Sequence, residues 1–183
     1  MRIIAGTARG RHIEAPAGKG TRPTLDRVRE NLFNMLQTRV GDARVLDLFA
    51  GSGALSLEAL SRGAAFAVLA DHDRGANRIE ERNIDALGFR DRARVLLSDW
   101  RAAANRLRAE GETFDLIFLD PPYAMTDLRE MLEALEPLTA EDALVIVEHE
   151  GKVSPVVPEG WMLLRARTWG YCGVSFYQRE GKA

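Results

Sequence analysis

Residues 44–63 read RVLDLFAGSGALSLEALSRG, and this stretch decides the fold class. It opens with a short apolar run that leads into Gly51 and Gly53, which predicts a buried strand followed by a tight turn. Residues 54–62 then show helical periodicity and stop at Gly63. A strand, a glycine turn and a helix in immediate succession are the unit from which sheets of parallel strands covered by helices are built.

The same alternation continues along the chain. Further apolar runs predict strands at 66–70, 93–97, 113–119, 143–148, 162–168 and 174–178. Amphipathic segments predict helices at 74–87, 100–109 and 126–135. Together they predict an α/β fold with a doubly wound, mostly parallel seven-stranded sheet of the Rossmann-like kind, preceded by a small basic β-hairpin and a helix.

The first 40 residues differ from the rest in rhythm and in charge. They hold eight Lys or Arg against three Asp or Glu, a net charge of +5, whereas the remainder holds 17 against 24, a net charge of −7. Residues 2–5 and 12–15 flank a turn with two glycines, which predicts a hairpin, and Thr24 is a candidate N-cap of a helix reaching about residue 37. We expect residues 1–40 to form a basic extension that contacts a polyanion and residues 41–183 to form the α/β domain.

Composition narrows the class of protein. With 46% hydrophobic and 28% charged residues among 183, the chain has an ordinary globular balance and no apolar run long enough for a membrane span. A single cysteine excludes an internal disulfide and favours the cytoplasm, and the three histidines lack metal-ligand spacing. We expect a cytoplasmic monomer without a metal. Packing roles are expected for Cys172, Trp161 and Trp169, and a solvated helix face for Glu80 and Glu81.

Acidic residues follow three successive strands, and parallel strands bring such ends to one edge of the sheet. Asp47 precedes the glycine turn, where its charge suits a cationic amino group. Asp71 could accept both hydroxyls of a ribose, and Asp99 the amino group of an adenine, because an ionised carboxylate only accepts. The predicted cofactor-binding residues in this part are Asp47, Phe49, Gly51, Gly53, Asp71, Ser98, Asp99 and Trp100, whereas Asp73 is expected to cap a helix.

The glycine turn excludes two common nucleotide sites. Ser56 occupies the position of the third glycine of a dinucleotide fingerprint, and no Gly-Lys-Ser/Thr follows, as a triphosphate-binding loop requires. A methionine-type cofactor, with a cationic amine near Asp47, fits better than a phosphate.

Asp120-Pro121-Pro122-Tyr123, directly after a predicted strand, is the most specific motif. Two prolines make a stiff corner whose carbonyls are expected to point outward and stay unshared. An exocyclic base amine could donate one hydrogen to the Asp120 carboxylate and the other to the Pro121 carbonyl, which localises the nitrogen lone pair for methyl transfer. Tyr123 offers a face on which an extruded base could stack. The predicted catalytic residues are therefore Asp120, Pro121, Pro122 and Tyr123.

These motifs resemble those of a known family. Residues 47–53 together with 120–123 resemble the amino-methyltransferases of class I fold. Over nearly its whole length, the chain resembles the bacterial 16S ribosomal RNA guanine-N2 methyltransferase family. The most specific likeness lies at residues 2–6, 9–11, 20–24 and 26–30.

The resemblance implies a class I methyltransferase fold whose seventh strand is antiparallel, with S-adenosylmethionine as cofactor and 16S ribosomal RNA or the 30S particle as partner. It places Thr21, Arg22 and Thr24 near the methionine end of the cofactor, and Arg9, Arg11 and Arg22 on RNA. The family's usual glutamate after the second strand is matched by Asp71, which is one methylene shorter.

Alternatives remain open at the level of sequence. Guanine presents N1–H and N2–H to an acceptor, whereas adenine presents a ring acceptor beside its amine, so Asp120 favours guanine slightly. Aspartate also occurs at this place in enzymes that modify adenine, which keeps an adenine-N6 DNA or RNA methyltransferase open. A nicotinamide-dependent oxidoreductase and a non-catalytic RNA-binding assembly factor are the alternatives from other classes.

Overall fold

The computed structural model describes residues 1–16, 23–125 and 127–181, with the backbone alone for residues 23–25. The helices are α1 (Pro23–Met35), α2 (Ala54–Ser61), α3 (Arg74–Leu87), α4 (Trp100–Ala109) and α5 (Leu128–Leu135). The strands are β1 (Arg44–Asp47), β2 (Phe66–Asp71), β3 (Ala93–Leu97), β4 (Phe114–Leu119), β5 (Thr139–Glu150), β6 (Trp161–Trp169) and β7 (Cys172–Arg179). Short 3-10 helices span Arg90–Arg92 and Glu136–Leu138.

The seven strands form one sheet in the order β3-β2-β1-β4-β5-β7-β6. Neighbours among the first five are parallel, and β7 runs antiparallel to both β5 and β6. The predicted doubly wound, mostly parallel sheet with an antiparallel seventh strand is therefore confirmed.

The strand order reverses between β1 and β4, which are neighbours in the sheet although two strands, β2 and β3, and three α-helices, α2, α3 and α4, separate them in the chain. Asp47 at the end of β1 pairs with Phe118 in β4, and the Leu48 N–H donates to the Phe118 carbonyl at 3.3 Å. The glycine turn and Asp120 therefore leave the same edge of the sheet from adjacent strands. This is the crevice where open α/β sheets bind ligands.

Two apolar layers cover the sheet, as expected when strands are buried on both faces. One layer packs the sheet against α4 and α5. The other packs it against α1, α2 and α3, and it also takes up Ile3, Ala8 and Ile13 from the N-terminal segment. The N-terminal segment thus shares its apolar core with the sheet.

The N-terminal hairpin is shorter than predicted and is held by α2. Arg2 and His12 form its one antiparallel bridge, so the expected four-residue strands do not form among the described residues. Instead, the Glu58 carboxylate accepts the N–H groups of Ile4 at 2.8 Å and Ala5 at 3.0 Å. Backbone groups that a longer ladder would have paired are satisfied by a buried side chain.

Helix α1 begins at Pro23, so Thr24 lies inside its first turn rather than before it. The N-cap prediction for Thr24 is therefore wrong by position, because proline is well suited to the first helical residue, where an N–H is not needed. Within the described residues, no helix is both long and apolar enough to cross a bilayer.

Candidate active site

The glycine turn after β1 needs its glycines for two different reasons. Both have positive φ, +58° at Gly51 and +77° at Gly53, where a side chain is strained. A Cβ on Gly53 would lie 2.8 Å from Leu69 Cδ2, so this glycine permits close packing of turn on strand. A Cβ on Gly51 would meet nothing within 4 Å, which leaves open space where a ligand can approach the backbone.

Asp47 is buried beneath this turn, with 1% of its surface exposed. Its Oδ2 accepts the Ser56 hydroxyl at 3.2 Å, while its Oδ1 has no hydrogen-bond partner among the described residues. Burial raises the pKa of Asp47 to about 7. A buried carboxylate with an unused oxygen suits a cationic donor, which would restore its ordinary ionised state.

Asp71 ties the glycine turn to the start of α3. Its Oδ2 accepts the Gly51 N–H at 2.9 Å and its Oδ1 accepts the Asp73 N–H at 2.9 Å. Asp73 in turn caps α3 by accepting the N–H groups of Gly75 and Ala76, as predicted. The turn is thus fixed by a carboxylate, and the expected ribose contact of Asp71 stays a prediction that relies on its remaining lone pairs.

Glu80 was expected on a solvated face, and that expectation is wrong. Its side chain is fully buried in the first turns of α3, with Oε2 accepting the Asn77 amide at 3.1 Å and Oε1 unpartnered among the described residues. Burial, followed by the charge of Asp47, raises the pKa of Glu80 to about 8. Glu81 is on the surface and pairs with Arg90.

The segment after β3 caps the N-terminus of α4. The Asp99 carboxylate accepts the N–H groups of Arg101 at 2.9 Å and Ala102 at 3.1 Å, both through Oδ1. Trp100 is 4% exposed within the apolar layer under α4, and the Arg101 guanidinium lies 4.4 Å from its ring centroid. This burial speaks against the predicted contact of Trp100 with an adenine ring, whereas Ser98 and Asp99 lie at the sheet edge as expected.

The double-proline corner lies beside the glycine turn. Asp120 is exposed, Pro121 is half-buried and Tyr123 is 44% exposed. The Met125 N–H donates to the Pro122 carbonyl at 2.8 Å. The prediction that both proline carbonyls are unshared is therefore wrong for Pro122, whose oxygen closes the turn.

Two residues that the sequence did not single out for this site lie near the corner, Glu148 on β5 and Cys172 on β7. The Tyr123 hydroxyl donates to Glu148 Oε1 at 3.4 Å, whereas the Cys172 thiol donates to the Gly173 carbonyl at 3.9 Å. Burial raises the pKa of Glu148, and burial beside that carboxylate raises the pKa of the Cys172 thiol. Cys172 is fully buried, as its predicted packing role requires.

The N-terminal residues that the sequence predicts to contact RNA or the cofactor differ in their surroundings. Arg9 is exposed on the hairpin, and the Arg11 guanidinium donates to the Ala86 carbonyl near the end of α3. Thr21 and Arg22 lie outside the described residues, and Thr24 lies in the first turn of α1.

A buried amide connects the hairpin to the glycine turn. The Asn83 amide donates to the Ser52 carbonyl at 2.9 Å and to the Glu14 carbonyl at 3.0 Å, and its own oxygen accepts the Glu14 N–H at 2.7 Å. In the part of the chain described here, no three His, Cys, Asp or Glu side chains gather as metal ligands would.

Known proteins resemble this chain over its whole length. The "Ribosomal RNA small subunit methyltransferase D" of Escherichia coli K12 is 42% identical over 185 residues, covering 100% of this chain and 91% of that protein. The protein of the same name from Haemophilus influenzae is 33% identical over 180 residues, covering 97% and 93%. A solved structure from Escherichia coli superposes with a TM-score of 0.86 at 42% identity, covering 100% of this chain and 99% of that one. Residues 1–178 match the model of the family described as "Conserved hypothetical protein 95", and the chain belongs to that family.

Proposed function

We propose that this protein transfers a methyl group from S-adenosylmethionine to the exocyclic N2 amine of a guanine in 16S ribosomal RNA. The observation that carries the proposal is the adjacency of the glycine turn after β1 and the Asp120 corner after β4 at one edge of the sheet. The names of the relatives, small-subunit ribosomal RNA methyltransferases, support the substrate class.

The corner's role is to prepare a poor nucleophile. The Asp120 carboxylate and the Pro121 carbonyl each accept one hydrogen of the target amine, which keeps the nitrogen lone pair out of the purine ring. The same two oxygens stabilise the positive charge that develops on nitrogen. Tyr123, nearly half exposed, offers its ring as a stacking surface for an extruded base.

The residues beneath the edge suit the cofactor. When bound, S-adenosylmethionine supplies a methyl already activated by a sulfonium, so the protein's task is positioning. Asp47 Oδ1, buried and without a partner in the described chain, would hold its ammonium group. Open space above Gly51 admits the ligand to the backbone, with Asp71 and Asp99 assigned to ribose and adenine.

Recognition of RNA is assigned to the N-terminal extension of residues 1–40. Its net charge of +5 favours a polyanion, and Arg9 is exposed on the hairpin. Arg11 and Arg22 complete the proposed RNA-contacting set. We also place the protein in the cytoplasm as a monomer that needs no metal.

The test is incubation of the purified protein with methyl-labelled S-adenosylmethionine and either 30S particles or naked 16S RNA from cells lacking the enzyme. Nucleoside analysis should find the label in N2-methylguanine. Label in N6-methyladenine would reject the base assignment. Tight RNA binding without label in any nucleoside, equal for wild type and Asp120→Ala, would indicate a non-catalytic assembly factor.

A further inference from the structure

A second carboxylate stands beside Asp120 in the sheet. Leu119 pairs with Val147 in the parallel register of β4 and β5, and Asp120 and Glu148 are the residues that follow them. Adjacent strands lie about 4.8 Å apart, so Asp120, which directly follows β4, and Glu148, which lies within β5, are close neighbours. The electrostatics agree, because the charges of both Glu148 and Asp120 raise the pKa of the Tyr123 hydroxyl and of the Cys172 thiol, after burial.

The Glu148 carboxylate accepts a hydrogen bond from the double-proline corner and has the Cys172 thiol as a neighbour. Tyr123, a residue of the catalytic corner, donates its hydroxyl to Oε1 at 3.4 Å. The buried Cys172 thiol of β7 lies near the same carboxylate, since after burial the charge of Glu148 raises the pKa of the thiol, while its own hydrogen bond goes to the Gly173 carbonyl at 3.9 Å. The Tyr123 hydroxyl occupies only one of the roughly four lone-pair directions of a carboxylate. Glu148 is half-buried, so it can offer the others to a ligand seated at the corner.

The chemistry of guanine requires such an acceptor. If the N2 amine lies on Asp120 and Pro121, the neighbouring N1–H must also find a partner, because a buried donor without one is costly. If adenine placed its N6 amine there, its N1 would bring a lone pair towards the second carboxylate instead.

On this basis, and resting on the proposed guanine-N2 activity, we propose that the Glu148 carboxylate accepts the N1–H of the target guanine and selects guanine over purines without that hydrogen. Glu148 is thus a specificity-determining residue for the reaction at Asp120. A residue that only supported Tyr123 would affect all purine substrates alike.

The test compares guanine with 2-aminopurine, which keeps the N2 amine but carries a lone pair at N1. Both are placed at the target position of a 16S RNA made by ligation and assembled into 30S particles. Wild-type kcat/KM should favour guanine by at least about 100-fold, as expected of a site built around a donor that the analogue lacks. Glu148→Gln should shift this ratio towards 2-aminopurine by at least about tenfold, since its amide can donate to N1.

Two variants serve as controls. Glu141→Gln makes the same change on an exposed residue at the other end of β5 and should leave the ratio unaltered. Tyr123→Phe removes the hydroxyl that contacts Glu148 and should lower the rate while guanine stays preferred. Thermal unfolding of Glu148→Gln checks its fold.

The outcomes separate the two proposals. A wild-type protein that forms no N2-methylguanine on the unmodified particle would overturn the proposed function itself. Normal methylation of guanine, with Glu148→Gln slowing both bases equally and leaving the ratio unchanged, would overturn only the selection by Glu148.

Discussion

Replacing Glu58 should detach the N-terminal hairpin from α2. This glutamate is fully buried, and its carboxylate accepts the N–H groups of Ile4 and Ala5 as well as Arg62 Nε at 2.7 Å. Arg29 Nε lies 4.0 Å from its other oxygen. In Glu58→Ala, two backbone donors and two guanidinium groups lose their shared acceptor in a place that water reaches poorly.

The magnitude follows from that loss. Removing one partner of a buried ion pair destabilises proteins by about 3–5 kcal/mol, because the remaining charge stays buried. We expect a decrease of this size in the free energy of unfolding of Glu58→Ala. Glu58→Gln keeps the volume and one acceptor oxygen, so its decrease should be about 1.5–3 kcal/mol, the range of a hydrogen bond to a charged group.

Urea unfolding followed by tryptophan fluorescence measures both values, and hydrogen exchange of the Ile4 and Ala5 amides locates the effect. Glu81→Ala, which removes an exposed glutamate paired with Arg90, is the control and should change stability far less. A loss below about 1 kcal/mol in Glu58→Ala, or unchanged exchange at Ile4 and Ala5, would refute the assignment of Glu58 as the anchor of the hairpin.

Three further predictions concern the ligand edge and the hairpin. Burial raises the pKa of Asp47 to about 7 and that of Glu80 to about 8, so their stabilising contribution is complete below about pH 4 and is lost as the pH rises through 7 and 8. Asp47→Asn combined with Glu80→Gln should therefore flatten the fall of unfolding free energy between these limits in urea titrations; an unaltered pH profile would contradict the burial of both charges. Asp120→Asn should reduce methyl transfer by at least about 100-fold while RNA affinity in filter binding stays unchanged. Arg9→Gln should lower the slope of log affinity against log salt by about 0.9, one phosphate contact, whereas Arg108→Gln on α4 should leave the slope as it is.

Local pattern was enough to predict the sheet and the edge at which the glycine turn and Asp120 meet. Helices α3 and α4 have the predicted limits, because an acidic N-cap begins each of them and a glycine follows within two residues of its end; β3 between them also has the predicted limits. The meeting of the glycine turn with Asp120 was also predicted, since parallel strands bring their carboxyl ends together whatever the intervening sequence.

Contacts between distant segments explain what could not be predicted. Glu58 receives hydrogen bonds from residues 53 and 54 positions away, and Glu148 from a tyrosine 25 positions away, so neither role leaves a local signal. The sequence pattern of α3 predicts that Glu80 faces the solvent. In the structure its side chain is buried, near enough to Asp47 for the charge of Asp47 to raise its pKa after burial. The position of Trp100 after β3 led to the prediction that it contacts the cofactor. In the structure its side chain packs in the apolar layer under α4.

The eight residues of α2 connect the glycine turn after β1 to the N-terminal hairpin. Gly53 of the glycine turn directly precedes this helix, and Glu58 and Ser61 near its other end accept N–H groups of the hairpin. An inserted residue in the first turn would rotate one end against the other by about 100°. The length of α2 therefore sets the angle between the hairpin and the glycine turn and, under the proposed function, the angle at which RNA on the hairpin would meet the methyl donor.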